Sequence, residues 1–244
     1  IYHWTVQWTV LEPDGFPRAV ITIRNTTASS GNHDYDDVQL PQPNLGGPTI
    51  CVCTNDTVEV VVTNRLLNSV ITLHWHGLHM HNQIEMDGVA GITQNGIMPM
   101  HTFTYSFHIT QPPGMYFYHS HSGHQASDGL YGMFLIDDCR TTHNTPPSSS
   151  SARTILQLPD PPFENDYIVS VQDWSHELST DLHVKYASRN DAYKGFMPDY
   201  PYPATSILIN EIDQFDCKTA IYSNEDCDIV RKYGLQYEKK KKNA

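Results

Sequence analysis

Two His-x-His triplets constrain this 244-residue chain more than any other feature of its sequence. His74-Trp75-His76 and His119-Ser120-His121 each end a run of apolar and aromatic residues that is typical of a β-strand. Side chains two residues apart in a strand face the same side, about 7 Å from each other, so each triplet presents two imidazoles. A fold that places the two strands side by side therefore collects four imidazoles on one face.

Such a collection of imidazoles predicts a metal site. Nine of the 14 histidines fall between residues 74 and 124, a clustering that is typical of metal binding. Imidazole suits zinc, copper, iron and nickel alike, so the residues alone do not name the metal. A polynuclear site fits better than a single ion, because the two histidines of one triplet splay toward different centres. The alternative is a sandwich domain with surface histidines, and two triplets so close together argue against it.

The rest of the chain reads as short strands separated by Pro, Gly and Asn. Residues 57–62, 70–73 and 103–107 predict strands within 1–138, where no amphipathic helix is convincing, and this pattern is typical of an antiparallel sandwich or barrel. Residues 139–152 are rich in Pro and Ser and predict a linker. Residues 153–244 predict a partial second domain, with strands at 166–171 and 206–209 on either side of a polar, Tyr- and Pro-rich loop.

Composition excludes two classes of function and favours one compartment. The net charge of −12 argues against nucleic-acid binding, and no apolar stretch approaches the ~18 residues of a membrane span. Five cysteines suit an oxidising compartment, and Cys51 and Cys53, two apart in one strand, are expected to bond elsewhere rather than to each other. Two glycosylation triplets, at Asn25 and Asn55, agree with a secreted glycoprotein.

The motifs around the triplets resemble a known family. They are Gly47-Pro48-Thr49-Ile50, Asn55-Asp56-Thr57-Val58, Leu73-His74-Trp75-His76-Gly77-Leu78-His79, Met86-Asp87-Gly88-Val89, Ile92-Thr93-Gln94, Tyr118-His119-Ser120-His121-Ser122-Gly123 and Asp128-Gly129-Leu130-Tyr131-Gly132. In this order and spacing they resemble the first domain of multicopper oxidases, and most of all animal laccases. The resemblance implies an all-β fold: a cupredoxin-like Greek-key domain followed by an incomplete second one.

The same resemblance implies roles for single residues. His74 would bind the type 2 copper of a trinuclear cluster, His76 and His119 one type 3 copper, and His121 the other. Asp87 would help deliver protons as dioxygen is reduced, although Asp-Gly is also a common turn signal. The remaining clustered histidines match no ligand position of the family; they are His79, His81, His101, His108 and His124.

Several family motifs have no counterpart in this sequence. After His124, the histidines stand alone and no cysteine is flanked by histidine, so the mononuclear copper site and half of the cluster ligands are missing. We therefore expect this polypeptide alone not to turn over an oxidase substrate. The four consecutive lysines before Asn243-Ala244 replace an apolar strand of the family, which suggests an incomplete sequence.

The function expected from these observations is that of a copper-binding N-terminal portion of a laccase-like oxidase. The complete enzyme would oxidise phenols, aromatic amines or a metal ion and reduce dioxygen to water. The alternative is a secreted copper-binding module without catalysis, which would use the same four histidines.

Overall fold

The computed structural model describes residues 1–26, 45–137, 169–187 and 205–211. Their backbone contacts group the chain into two units, one formed by residues 1–9 and 20–168 and the other by residues 10–19 and 169–244. The first unit contains the His-x-His triplets. The predicted linker 139–152 and the lysine-rich end lie outside the described residues, so the domain boundaries at 138 and 152 stay predictions.

The described residues between 2 and 137 contain eight strands in two sheets. They are β1 (Tyr2–Leu11), β2 (Arg18–Asn25), β3 (Ile50–Cys53), β4 (Thr57–Asn64), β5 (Leu73–His76), β6 (Thr102–His108), β7 (Gly114–Ser120) and β8 (Tyr131–Asp137). One sheet has the order β2-β1-β4-β6 and the other β3-β8-β7-β5. The prediction of a two-sheet β architecture is confirmed.

The pairing within the sheets is mixed. The pairs β4–β6, β5–β7 and β7–β8 are antiparallel, but β1–β4 and β3–β8 are parallel. The expectation of an antiparallel sandwich or barrel is wrong for these two parallel pairs. Residue patterns report which face of a strand is buried but not the direction of its neighbour, and parallel neighbours come from long connections that no local signal specifies.

The core of the first unit comes from alternating side chains of the strands. In β4, Val58, Val60 and Val62 are buried while the intervening residues are partly exposed, the period-2 pattern of a strand with one face on a core. Trp75 and Tyr118, from β5 and β7, are fully buried in the same cluster. Because Trp75 points into the core, the histidines on either side of it must point to the opposite face.

The observed strand bounds show which of the strand predictions for residues 1–137 were accurate. The predicted strands 57–62 and 103–107 correspond to β4 and β6, whereas the predicted strand 70–73 overlaps β5 only at Leu73. Ile71 instead forms an isolated bridge to Ile97. Single 3-10 turns at Ile84–Met86 and Gln125–Asp128 are the helical segments among the described residues of 1–137.

The second unit contains two further strands and a helix among its described residues. Strands β9 (Val171–Trp174) and β10 (Ser206–Ile209) pair antiparallel, and helix α1 (Ser179–Ala187) lies between them in the chain. Strand β10 matches its prediction, whereas β9 begins at Val171, the last residue of the predicted strand 166–171; residues 166–168 lie outside the described residues. The interpretation of the connection as a loop missed α1.

A buried polar cluster ties residues 10–19 to these strands within the second unit. The Asp14 carboxylate accepts hydrogen bonds from His176 Nε2 at 2.8 Å and from Ser206 Oγ at 2.6 Å. The Phe16 ring stacks on the His176 imidazole with 3.9 Å between centroids, and the Phe16 amide donates to the Asp14 carboxylate at 3.1 Å. The cluster therefore satisfies a carboxylate that has no exposure to solvent.

Candidate metal centre

Strand pairing brings the two His-x-His triplets together. Strands β5 and β7 are antiparallel neighbours, with His74 directly opposite His119 and His76 opposite Phe117. His121 follows β7 by one residue, and its backbone amide donates to the Thr72 carbonyl at 3.3 Å. The sequence prediction that a fold would gather four imidazoles on one face is therefore matched by the geometry.

The four imidazole rings form a tight group around His74. Its ring centroid lies 5.6 Å from that of His76, 5.4 Å from that of His119 and 5.5 Å from that of His121. All three neighbouring rings are close to perpendicular to the His74 ring, at 71°, 74° and 82°. Perpendicular rings aim their nitrogens in different directions, as a site with more than one ion requires.

Two nitrogens of the group face each other at a separation that suits a shared ion. His76 Nδ1 and His119 Nε2 are 3.4 Å apart, and one ligand atom from each of His74, His76 and His119 lies within 4.8 Å of the others. Imidazole nitrogens bind zinc at about 2.0–2.1 Å, so two of them that share an ion at a tetrahedral angle are about 3.4 Å apart. The spacing of His76 Nδ1 and His119 Nε2 therefore fits a metal ion bound by both.

Backbone carbonyls hold two of the rings in defined tautomers. His74 Nδ1 lies 2.7 Å from the Asp87 carbonyl oxygen, and His119 Nδ1 lies 2.9 Å from the Ser120 carbonyl oxygen. A carbonyl oxygen only accepts, so each Nδ1 carries the proton and each neutral ring keeps its lone pair on Nε2. Metal-binding histidines commonly show this arrangement, because the second hydrogen bond fixes the ring and raises its basicity.

The electrostatics of the group also favour a neutral His119 ring. Burial lowers the pKa of His119 below its ordinary value; the neighbouring imidazoles of His74, His76 and His121 lower this pKa further, while the hydrogen bond to the Ser120 carbonyl opposes the change. An imidazole must be neutral to bind a metal. A depressed pKa keeps the His119 lone pair available to lower pH than that of an isolated histidine.

Phe117 is a functional candidate that the sequence reasoning missed. Its ring stacks on His76 with 4.4 Å between centroids and 18° between planes, and on His119 with 5.5 Å and 25°. The contact follows from register, because Phe117 is opposite His76 and two residues before His119 on the same face of β7. Aligning the two triplets as antiparallel strands would have been enough to find it.

The structure also locates Asp87, the other possible metal ligands and the two neighbouring cysteines that the sequence analysis named. The Asp87 carboxylate lies beside the group, with Oδ1 3.5 Å from His74 Nδ1. Among the described residues, the one cluster of histidine, cysteine and acidic ligands close enough to share an ion is His74, His76 and His119. Cys53 forms a disulfide and Cys51 is a free thiol, so the two do not bond to each other.

Comparison with known proteins gives a consistent result. The family model described as "Multicopper oxidase" matches residues 18–141. An L-ascorbate oxidase of Brassica rapa subsp. pekinensis is 34% identical over 71% of this chain and 26% of its own length. Laccase-2 of Cryptococcus neoformans var. grubii is 30% identical over 88% of this chain and 30% of its own length. The chain thus spans less than a third of each of these relatives.

Solved structures show the same fold. Fet3p, described as a multicopper oxidase that functions in iron import, superposes with a TM-score of 0.59 at 28% identity, over 86% of this chain and 32% of that protein. The laccase from Botrytis aclada superposes with a TM-score of 0.61 at 26% identity, over 91% of this chain and 32% of that protein. The cupredoxin-like expectation is confirmed. The finer resemblance to animal laccases stays a prediction.

Proposed function

The chain belongs to the multicopper oxidase family, and from this premise we propose that it supplies half of the ligands of a trinuclear copper cluster. His76 and His119 hold one type 3 ion, His121 holds the other, and His74 holds the type 2 ion. The observation that carries this proposal is the facing pair His76 Nδ1 and His119 Nε2, 3.4 Å apart in a group of four imidazoles.

Copper held by these histidines would pass electrons from the reducing substrate to dioxygen in the complete oxidase. The part of this chain would be to hold the ions in place and to orient the imidazoles. The carbonyls of Asp87 and Ser120 orient His74 and His119, and Phe117 stacks on the rings of His76 and His119. His76 and His121 are exposed, which leaves room for metal ligands from another part of the complete oxidase to finish the site.

Asp87 is proposed as the group that holds and passes protons. Reduction of one dioxygen to two waters consumes four protons and four electrons, so a proton carrier beside the cluster is needed. The Asp87 carboxylate is partly exposed and 3.5 Å from His74 Nδ1, which supports access both to solvent and to the site. The reducing substrate of the complete enzyme is proposed to be a phenol, an aromatic amine or a metal ion.

A secreted location is part of the same proposal. The Cys53 disulfide is typical of an oxidising compartment, and the net charge of −12 suits a soluble extracellular protein. Among the residues that the structure describes, no helix has both the length and the apolar character needed to cross a membrane.

Copper titration of this chain tests the ligand assignment. The wild type and His119→Ala are titrated with copper in competition with a chelator, and His108→Ala, in a strand outside the site, is the control. We expect His119→Ala to bind fewer copper ions or to bind them at least tenfold more weakly, whereas His108→Ala matches the wild type. Equal stoichiometry and affinity in all three proteins would refute the assignment.

A further inference from the structure

The main chain of Asp87, rather than its side chain, makes the closest contact with His74. The carbonyl oxygen of Asp87 lies 2.7 Å from His74 Nδ1, whereas the carboxylate Oδ1 lies 3.5 Å away. Because the carbonyl only accepts, this contact holds the proton on Nδ1 and leaves Nε2 for a metal. The orientation of His74 therefore depends on how closely the Asp87 backbone approaches β5.

That approach requires a residue without a side chain at position 88. Gly88 has a φ of +80°, and a Cβ atom built there would lie 1.8 Å from the Leu73 carbonyl oxygen, 2.4 Å from the Leu73 carbonyl carbon and 2.9 Å from the His74 amide nitrogen. All three are backbone atoms of the ligand strand, so rotation of a side chain cannot relieve the overlap. Any Cβ at this position forces the two backbones apart.

The strand is the less movable of the two partners. In β5, Leu73 pairs with Ser120 and His74 with His119, and the Leu73 amide donates to the buried Tyr105 hydroxyl at 2.9 Å. Asp87 and Gly88 belong to the segment that follows the 3-10 turn Ile84–Met86. A Cβ at Gly88 would therefore displace this segment, and the Asp87 carbonyl with it.

We propose that Gly88 is a positioning residue for His74: its missing side chain lets the Asp87 carbonyl reach Nδ1 and hold the ring as the Nδ1–H tautomer with Nε2 directed to copper. The step from tautomer to copper rests on the proposed function. The Asp87-Gly88 pair then has two separable roles, proton transfer by the carboxylate and ligand orientation by the backbone.

A matched glycine makes this proposal testable. Gly91 has a φ of +75°, close to that of Gly88, but no atom lies within 4 Å of its hypothetical Cβ. Gly91→Ala therefore introduces the same left-handed strain without the overlap. Asp87→Asn is the second control, because it changes the carboxylate and leaves the carbonyl in place.

The experiment measures imidazole tautomers and copper affinity in the full chain. Long-range ¹H–¹⁵N NMR of the copper-free chain, with the His74 signals assigned from His74→Gln, reports which nitrogen carries the proton. We expect the Nδ1–H tautomer in the wild type, Gly91→Ala and Asp87→Asn, and a mixture of tautomers in Gly88→Ala. Copper affinity should fall about 10- to 100-fold in Gly88→Ala relative to Gly91→Ala.

Two results would overturn the proposal. One is an Nε2–H tautomer for His74 in the wild type. This result would refute the proposal even if Gly88→Ala does not fold. The other is a folded Gly88→Ala with a wild-type tautomer. A wild type that holds the Nδ1–H tautomer yet binds no copper would refute the proposed function while leaving the positioning role of Gly88 intact.

Discussion

At the scale of single residues, the candidate site is defined by which nitrogen of each ring is available. His74 and His119 both donate from Nδ1 to backbone carbonyls, and both therefore offer Nε2. His76 offers Nδ1 instead, since this is the nitrogen that faces His119 Nε2. The identity of these residues could be predicted from the spacing of the triplets. The choice of nitrogen could not, because it depends on carbonyls that only the fold brings near.

Phe117 gives a prediction at this scale. Its stacking on His76 and His119 restricts both rings, so Phe117→Ala should weaken copper binding about 2- to 10-fold, the equivalent of the 0.5–1.5 kcal/mol typical of an aromatic pair. Competition titration with a copper chelator measures the change. Met115→Ala removes another exposed apolar side chain from the same face of β7 and should bind as the wild type does. Equal losses in both variants would assign the effect to the strand rather than to the stacking.

At the scale of elements, the structure depends on contacts between segments that are far apart in the sequence. The period-2 burial of β4 is visible in its sequence, and Trp75 is fully buried between the two histidines of β5. The pairing of Asp14 with His176, 162 residues later, is not visible in either local sequence. His176 stood alone as a sequence feature, and the structure gives it a role in a buried polar cluster.

Asp14 gives a prediction about pH. Although burial alone would raise its pKa, the hydrogen bonds from His176 and Ser206 and the attraction of His176 hold the pKa of Asp14 below its ordinary value of 3.8. A carboxylate with a depressed pKa stabilises the folded state fully above the unfolded-state pKa, and this contribution is lost as the pH falls through the folded-state pKa. Asp14→Asn should therefore be less stable than the wild type at neutral pH, by about 1.5–3 kcal/mol.

Denaturant unfolding of both proteins between pH 7 and pH 2 measures this effect. The difference between wild type and Asp14→Asn should be retained down to about pH 5 and should shrink at lower pH, where Asp14 becomes protonated. Asp173→Asn, an exposed change on the neighbouring strand β9, should match the wild type throughout. A difference that persists unchanged to pH 2 would show that the ionised form of Asp14 is not what stabilises the cluster.

At the scale of the whole molecule, the sequence motifs and the geometry indicate the same family. The chain spans less than a third of the length of the relatives compared above. The triplets and the Asp-Gly segment predicted the family, and the match over residues 18–141 and the superposed structures confirm it. The parallel pairs β1–β4 and β3–β8 and the helix α1 were missed, because chain direction and short polar helices leave weak local signals. The grouping of the four imidazoles was easier to predict than the topology, since His-x-His spacing is visible in the sequence; their role as metal ligands stays a prediction.

This scale also carries a prediction about activity. After His124 the sequence contains no His-Cys-His motif and no His-x-His triplet, so we expect this polypeptide alone to lack the group that takes electrons from a reducing substrate. The pure, copper-loaded chain should show no sustained dioxygen uptake with a diphenol in an oxygen electrode. A complete laccase measured alongside is the positive control. Continuous turnover by the chain would contradict this prediction.

The most direct measurement of the central claim is anomalous X-ray diffraction at the copper edge from crystals of the chain grown with copper. The account predicts an anomalous peak between His76 Nδ1 and His119 Nε2, about 2.0–2.1 Å from each nitrogen. His79, His81 and His101 serve as internal controls in the same crystal and should carry no peak of comparable height. Copper at these histidines, with none between His76 and His119, would contradict the account.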